Sequence, residues 1–188
     1  MVSSVRLVLP LLLFGICAKA DVHFTFQSHD SELDGVKLHQ LVFQADGKQV
    51  FYEPPRGWQY FGQEDRLRLV PPPGQQGEAF VSSRPLPQPQ SFDEPTMKRL
   101  AEEVIASTPA GAKRVTLVSQ EKNSVQIERK ETFLVVINFE LYGTPQARSV
   151  MFLNRDTEQL RFQLTCPQAN FAKLQKQFFA SHFSWQNL

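Results

Sequence analysis

Phe133-Leu134-Val135-Val136-Ile137-Asn138-Phe139-Glu140-Leu141 reads as one long strand. Side chains of an extended chain alternate between two faces, so Phe133, Val135, Ile137, Phe139 and Leu141 share one side. The other side carries Leu134, Val136, Asn138 and Glu140, so it is partly covered too. Tyr142-Gly143-Thr144-Pro145 turns the chain, and Gln146 to Asn154 return. Arg155-Asp156-Thr157-Glu158 turns again, and Leu160, Phe162 and Leu164 alternate with Arg161, Gln163 and Thr165. Upstream, Val115 and Leu117 open a strand and Glu121 to Ser124 turn it. Val125 and Ile127, alternating with Gln126 and Glu128, predict a further short strand. Strands joined by tight turns make an antiparallel meander.

Helices flank this meander. Met97, Leu100, Ala101, Val104 and Ile105 recur at helical spacing, with Lys98, Arg99, Glu102 and Glu103 opposite. Ser91 with Glu94 has capping-box spacing, and Asp93 ahead of Glu94-Pro95 is an equally good N-cap. Thr108-Pro109-Ala110-Gly111 stops the helix. A last helix places Phe171, Leu174 and Phe178 on one stripe, and Phe183 and Trp185 close against the core. Before the first helix, Leu38–Phe43 and Gln49–Tyr52 read as a hairpin about Asp46-Gly47, since Asp-Gly favours the positive-φ turn that matches strand twist. Leu67–Val70 and Ala79–Ser82 are short strands. Val22, Phe24 and Phe26 alternate within a polar, loosely held stretch. Arg84 to Gln90 (RPLPQPQ) is a stiff polyproline connector. The expected class is α+β, an antiparallel meander with helices over one face of the sheet.

The first twenty residues stand outside this pattern. Arg6, the apolar run Leu7–Ile16 and Ala18-Lys19-Ala20 form a secretory signal peptide cleaved after Ala20. The run is shorter than the roughly 20 residues a membrane-spanning helix needs. Residues 21–37 are then an N-terminal segment and 38–188 a single domain. Cleavage removes Arg6 and Lys19 and no acid, so the formal charge moves from +1 to −1. A chain this close to neutral has no global field to draw in nucleic acid or an anionic membrane. Cys17 leaves with the signal, and lipidation there is disfavoured by Ile16 and Phe14 before it. Cys166 is left as a small buried apolar residue.

Recognisable chemistry is sparse. His23, His29, His39 and His182 are scattered, without the spacing of a zinc site. Asp30, Glu32, Asp34 and Gly35 imitate the start of a calcium loop, but its twelfth position is Leu41, which rejects an EF-hand. There is no G-x-S-x-G elbow and no glycine-rich phosphate loop. Cys166 and His182 are separated by a helix. Glu128, Glu131 and Glu140 read as outward-facing strand charges, though carboxylate pairs need no fixed sequence spacing. Lys113-Arg114 and Arg129-Lys130 are local basic patches. Trp58, Tyr60 and Phe61 read as core residues, with an exposed binding platform as the alternative. No catalytic, cofactor-binding or metal-ligating residue is expected, and no cofactor.

Phe51-Tyr52-Glu53-Pro54 followed by Gly57-Trp58 resembles the opening of PsbP-like domains, a group that includes PsbP, DcrB-type envelope proteins and the Ran-binding Mog proteins. The middle helix, the meander from Lys113 to Thr165 and the Phe171–Phe178 helix ending in Phe183-Ser184-Trp185 resemble it too, over about residues 40–186. The resemblance implies an α/β/α sandwich around an antiparallel sheet and a non-enzymatic role. With the signal peptide, it points to a secreted or periplasmic binding or accessory protein whose partner is a protein or cell-envelope component. A carrier of a small apolar ligand and a carboxylate-based hydrolase are the alternatives.

Overall fold

A computed structural model describes residues 22–33, 36–45 and 48–187. The signal-peptide reading and the Asp46-Gly47 turn lie outside the described residues.

The meander is present. β7 (Lys113–Lys122), β8 (Thr132–Leu141), β9 (Thr144–Asn154) and β10 (Glu158–Pro167) pair antiparallel in chain order. β10 then pairs with an earlier strand, β6 (Glu78–Pro85), which pairs with β5 (Arg66–Val70), and β5 with β4 (Gln59–Gly62). The result is a seven-stranded sheet in the order β4-β5-β6-β10-β9-β8-β7. A second sheet of four strands joins β1 (Val22–Leu33), β2 (Val36–Ala45), β3 (Lys48–Tyr52) and the two-residue β11 (Gln186–Asn187).

The two faces of β8 are satisfied by different partners. Phe133, Val135, Ile137 and Phe139 pack with Val150 and Phe152 of β9 against Leu100, Ala101 and Val104 of α1 (Glu94–Ala106). Leu134 and Val136 look the other way. They join Met151, Leu160, Phe162 and Leu164 in a larger core with the small sheet and with Leu174 and Phe178 of α2 (Gln168–His182). The helices therefore lie on opposite faces of the large sheet, and the expectation that they share one face is corrected. The reason is in β8 and β9 themselves: strands apolar on both sides need cover on both sides.

Asp93 is the N-cap of α1, its carboxylate accepting from the Thr96 N–H at 2.9 Å. The strand expected at Val125–Glu128 is a loop, closed by a single bridge between Ile127 and Lys130. Glu128 and Arg129 both hold positive φ, 54° and 59°, as a two-residue primed turn requires. Ile127 is buried, so the apolar alternation reports core contact rather than strand pairing. β1 runs on to Leu33, and Phe24, from the expected N-terminal segment, lies in the core beside Phe43 and Trp185. No helix among the described residues is long and apolar enough to cross a membrane.

Candidate functional site

Tyr52 ends β3 at the edge where the small sheet meets α2, and the chain then enters Glu53-Pro54-Pro55-Arg56-Gly57-Trp58. Two prolines remove backbone donors and fix φ, so this loop is stiff before any tertiary contact is made. The Trp58 N–H closes a turn on the Pro55 carbonyl at 3.0 Å, with Gly57 at φ 79°, a region that favours glycine. Ser184, just past α2, holds the start of the loop. Its hydroxyl accepts from the Glu53 N–H at 2.8 Å and donates to the Ser181 carbonyl at 2.6 Å. Buried Tyr52 hydrogen-bonds Ser181 at 2.8 Å, and burial pushes its phenol well above the usual range.

Between this loop and the end of α2 opens a cleft of about 660 Å3. Pro54, Pro55 and Trp58 form an apolar wall, and Gln177, Ala180, Ser181 and Ser184 face it from the helix side. Trp58 stacks on Phe178 with ring centroids 6.2 Å apart and donates from Nε1 to Gln177 at 3.3 Å. Glu53 accepts from Gln40 at 3.1 Å, and Arg56 is exposed. At the mouth, His39 joins two groups at once, Asp30 through Nδ1 and the Tyr60 hydroxyl through Nε2. The cleft thus offers rigid apolar surface, a carboxylate, a guanidinium and a hydrogen-bonded imidazole–phenol pair.

The residues singled out from the sequence fall in different places. The Glu53-Pro54 and Gly57-Trp58 motif lines the cleft. The aromatic trio divides: Trp58 is core, Tyr60 is half-buried at the cleft, and Phe61 is exposed beneath Arg68, outside it. A joint platform is thereby ruled out, because neighbouring strand residues point to opposite faces. Glu131 pairs with Lys122 and Glu140 with Arg114, both at 3.0 Å. Glu128 is drawn inward by Arg155. His182 is fully buried among Phe162, Phe178 and Phe179, and burial lowers its pKa to about 3. Burial raises the Cys166 thiol to about 11. The set Asp30, His39 and Tyr60 was not visible in the sequence, since register across two sheets brings it together. Among the described residues no three His, Cys, Asp or Glu are grouped closely enough to hold a metal ion.

No family model matches the sequence, and no curated protein matches it. Solved structures do. LpqN of Mycobacterium tuberculosis, described as involved in cell envelope biogenesis, superposes with a TM-score of 0.56 at 7% identity, over 87% of this chain and 91% of its own. The cyanobacterial PsbP (CyanoP) of Synechocystis gives 0.53 at 11% identity, over 95% of this chain and 99% of its own. At such identities the likeness is one of architecture: this chain has the α+β PsbP-like fold.

Proposed function

We propose that this is an extracytoplasmic, non-enzymatic binding or accessory protein of the bacterial envelope type. Its cleft at Glu53–Trp58 would receive a segment of a protein or cell-envelope partner. The cleft carries the reading: it is open, walled by two prolines and a tryptophan, and framed by hydrogen bonds that fix the loop before a ligand arrives. Preorganised apolar surface with a few convergent polar groups is what an extended segment needs to bind without a large ordering cost. The fold shared with LpqN and CyanoP supports it, as does the sequence of residues 1–20 as a signal removed after Ala20. Within the PsbP-like group the DcrB-type envelope branch suits an exported chain better than the Ran-binding one.

The test is a photo-crosslinking amino acid placed at Arg56 in the source cell. A crosslink to one defined polypeptide or glycan from Arg56, absent from a distant exposed position such as Glu102, supports the proposal. Equal labelling at both positions overturns it. N-terminal sequencing of the same material should begin at Asp21, and a chain beginning at Met1 in the cytoplasm defeats the export reading.

A second reading has its own observation. A groove of about 530 Å3 between β7 and α2 is lined in part by Val118, Leu134, Val136, Phe171 and Phe179. Such a groove suits a small apolar ligand. Native mass spectrometry would show the bound molecule if the protein is a carrier, and Phe179→Asp would remove it.

A further inference from the structure

α1 packs over β7 and β8, and on the same face a groove opens over β5, β6 and β10. Here the register does something the sequence conceals. Arg66 is opposite Ser82, and Ser82 is opposite Arg161. With adjacent strands about 4.8 Å apart, the two guanidiniums rise on either side of one small hydroxyl. They border a groove of about 390 Å3 whose walls include Phe80, Ser83 and Gln163.

The charges around this groove do not balance. Asp65 pairs with Arg66 at 3.1 Å, but both are well exposed, and such a pair is worth little. Glu103 is shared among three guanidiniums: Arg84 at 3.0 Å, Arg161 at 3.5 Å and Arg99 at 3.8 Å. Next to Arg161, buried Arg148 donates to Thr165 Oγ1 at 2.9 Å and to the Ser107 carbonyl at 2.8 Å. It has no carboxylate within ion-pair distance among the described residues. Burial, and then the charge of Arg161, lower the pKa of Arg148 to about 10. Arg161 Nη2 donates to Gln163 at 2.9 Å and to Ser107 Oγ at 3.4 Å, while its Nε is buried without a hydrogen-bond partner. Four arginines thus share two carboxylates, a fifth, Arg148, pairs with neither, and the Arg161 Nε has no hydrogen-bond partner.

We propose that the Arg66–Ser82–Arg161 groove is a binding site for a phosphate group. A planar carboxylate can be satisfied by a single guanidinium fork. A tetrahedral phosphate presents oxygens in several directions, and here donors stand on two sides with a hydroxyl on the floor. Bound there, it accepts from both arginines and from Ser82 Oγ, displaces the weak Asp65 contact, and offsets the local positive excess. The phosphate comes either as a free ion or as the headgroup of an anionic envelope lipid.

The test is titration of the purified protein with sodium phosphate at constant ionic strength, followed through backbone amide resonances. Saturable shifts at residues 66, 82 and 161, absent with sodium chloride and weaker with acetate, are expected. Arg66→Gln and Ser82→Asp should each weaken binding tenfold or more while the rest of the spectrum shows the fold intact. Flotation with phosphatidylglycerol vesicles separates the two sources. Binding that is lost in Ser82→Asp identifies a lipid headgroup, and phosphate binding without flotation identifies a free ion. Linear, unsaturated shifts, an equal response to chloride, or unchanged affinity in both variants would overturn the proposal.

Discussion

The guanidinium of Arg155 and the carboxylate of Glu158 meet at 2.7 Å across the β9–β10 turn, with side chains only 9% and 2% exposed. Glu128 approaches the same guanidinium from the primed turn at 2.6 Å, and the Ser83 hydroxyl donates to the second oxygen of Glu158 at 2.6 Å. Burial alone would lower the Arg155 pKa, but its hydrogen bonds and charge contacts with Glu128 and Glu158 hold it above the ordinary value. Removing one member of a buried pair leaves a desolvated charge behind. Glu158→Gln is therefore expected to lower the unfolding free energy by about 3 kcal/mol. Glu128→Gln should cost less, because Glu128 is more exposed and its loss leaves the Arg155–Glu158 contact. Urea denaturation of the two variants gives the comparison, and a larger loss for Glu128→Gln would contradict this account.

His182 makes stability depend on pH in a defined direction. Its folded pKa, about 3, lies below the ordinary 6.5, so between these values the unfolded chain binds a proton that the folded chain does not. Stability contributed by the neutral imidazole is complete above about pH 6.5 and is lost as pH falls toward about 3. The slope is about 1.4 kcal/mol per pH unit for one such proton. Most carboxylates stay ionised down to about pH 5, so in the window from about 6.5 to about 5 comparison with a His182 variant separates this group from the other histidines. Neither ring nitrogen of His182 has a hydrogen-bond partner, so His182→Leu sacrifices no bond. Denaturation midpoints of this variant should fall less steeply than those of the parent protein across that window. A slope equal to that of the parent protein would remove His182 as the cause.

Much of the fold was legible because β8 announces both of its faces. Phe133, Val135 and Ile137 against Leu134 and Val136 specify cover above and below, and α1 and α2 supply part of it. Val125 and Ile127 misled for a physical reason: Ile127 is buried and Val125 half-buried against the same core, and apolar side chains at period two need core contact, not a paired neighbour. The Glu53-Pro54 and Gly57-Trp58 wall of the cleft could be read locally, since prolines and a turn glycine act on their own neighbours. Asp30, His39 and Tyr60 could not, nor could Arg66, Ser82 and Arg161. Asp30 and His39 are register partners in one hairpin, but Tyr60 joins them from the other sheet, and Arg66, Ser82 and Arg161 meet only by register across three strands, so no short-range signal encodes either full set.

At Gly62 the two sheets approach each other tightly. A Cβ on it would overlap the carbonyl oxygen of Phe24 and lie 2.8 Å from Cδ1 of the Phe26 ring. Backbone cannot yield as a flexible side chain can. Gly62→Ala should thus destabilise the protein by about 1–3 kcal/mol through overpacking. Gly143→Ala is the control: it has positive φ, 79°, but nothing within 4 Å of the added carbon, so its cost is the backbone penalty of about 1 kcal/mol. Thermal unfolding of both should show the greater loss at Gly62. Equal losses would mean that β4 can shift away from β1 freely.

One hydroxyl ties down the start of the cleft loop. Ser184 Oγ is acceptor for the Glu53 N–H and donor to the Ser181 carbonyl, so it ties the start of the Glu53–Trp58 loop to the end of α2. Ser184→Ala leaves the Glu53 N–H without its partner, at a cost of about 1–2 kcal/mol. The two prolines keep the loop itself stiff, so the loss should appear as motion of the loop relative to α2. Hydrogen exchange is expected to quicken at the Glu53 and Trp58 amides and to stay unchanged in β8 and β9. Crosslinking from Arg56 should fall with it, because the cleft wall is no longer fixed in place. Ser184→Thr keeps the hydroxyl and should restore both. Exchange that rises uniformly across the chain would instead make Ser184 a general stabiliser, with no particular hold on the cleft.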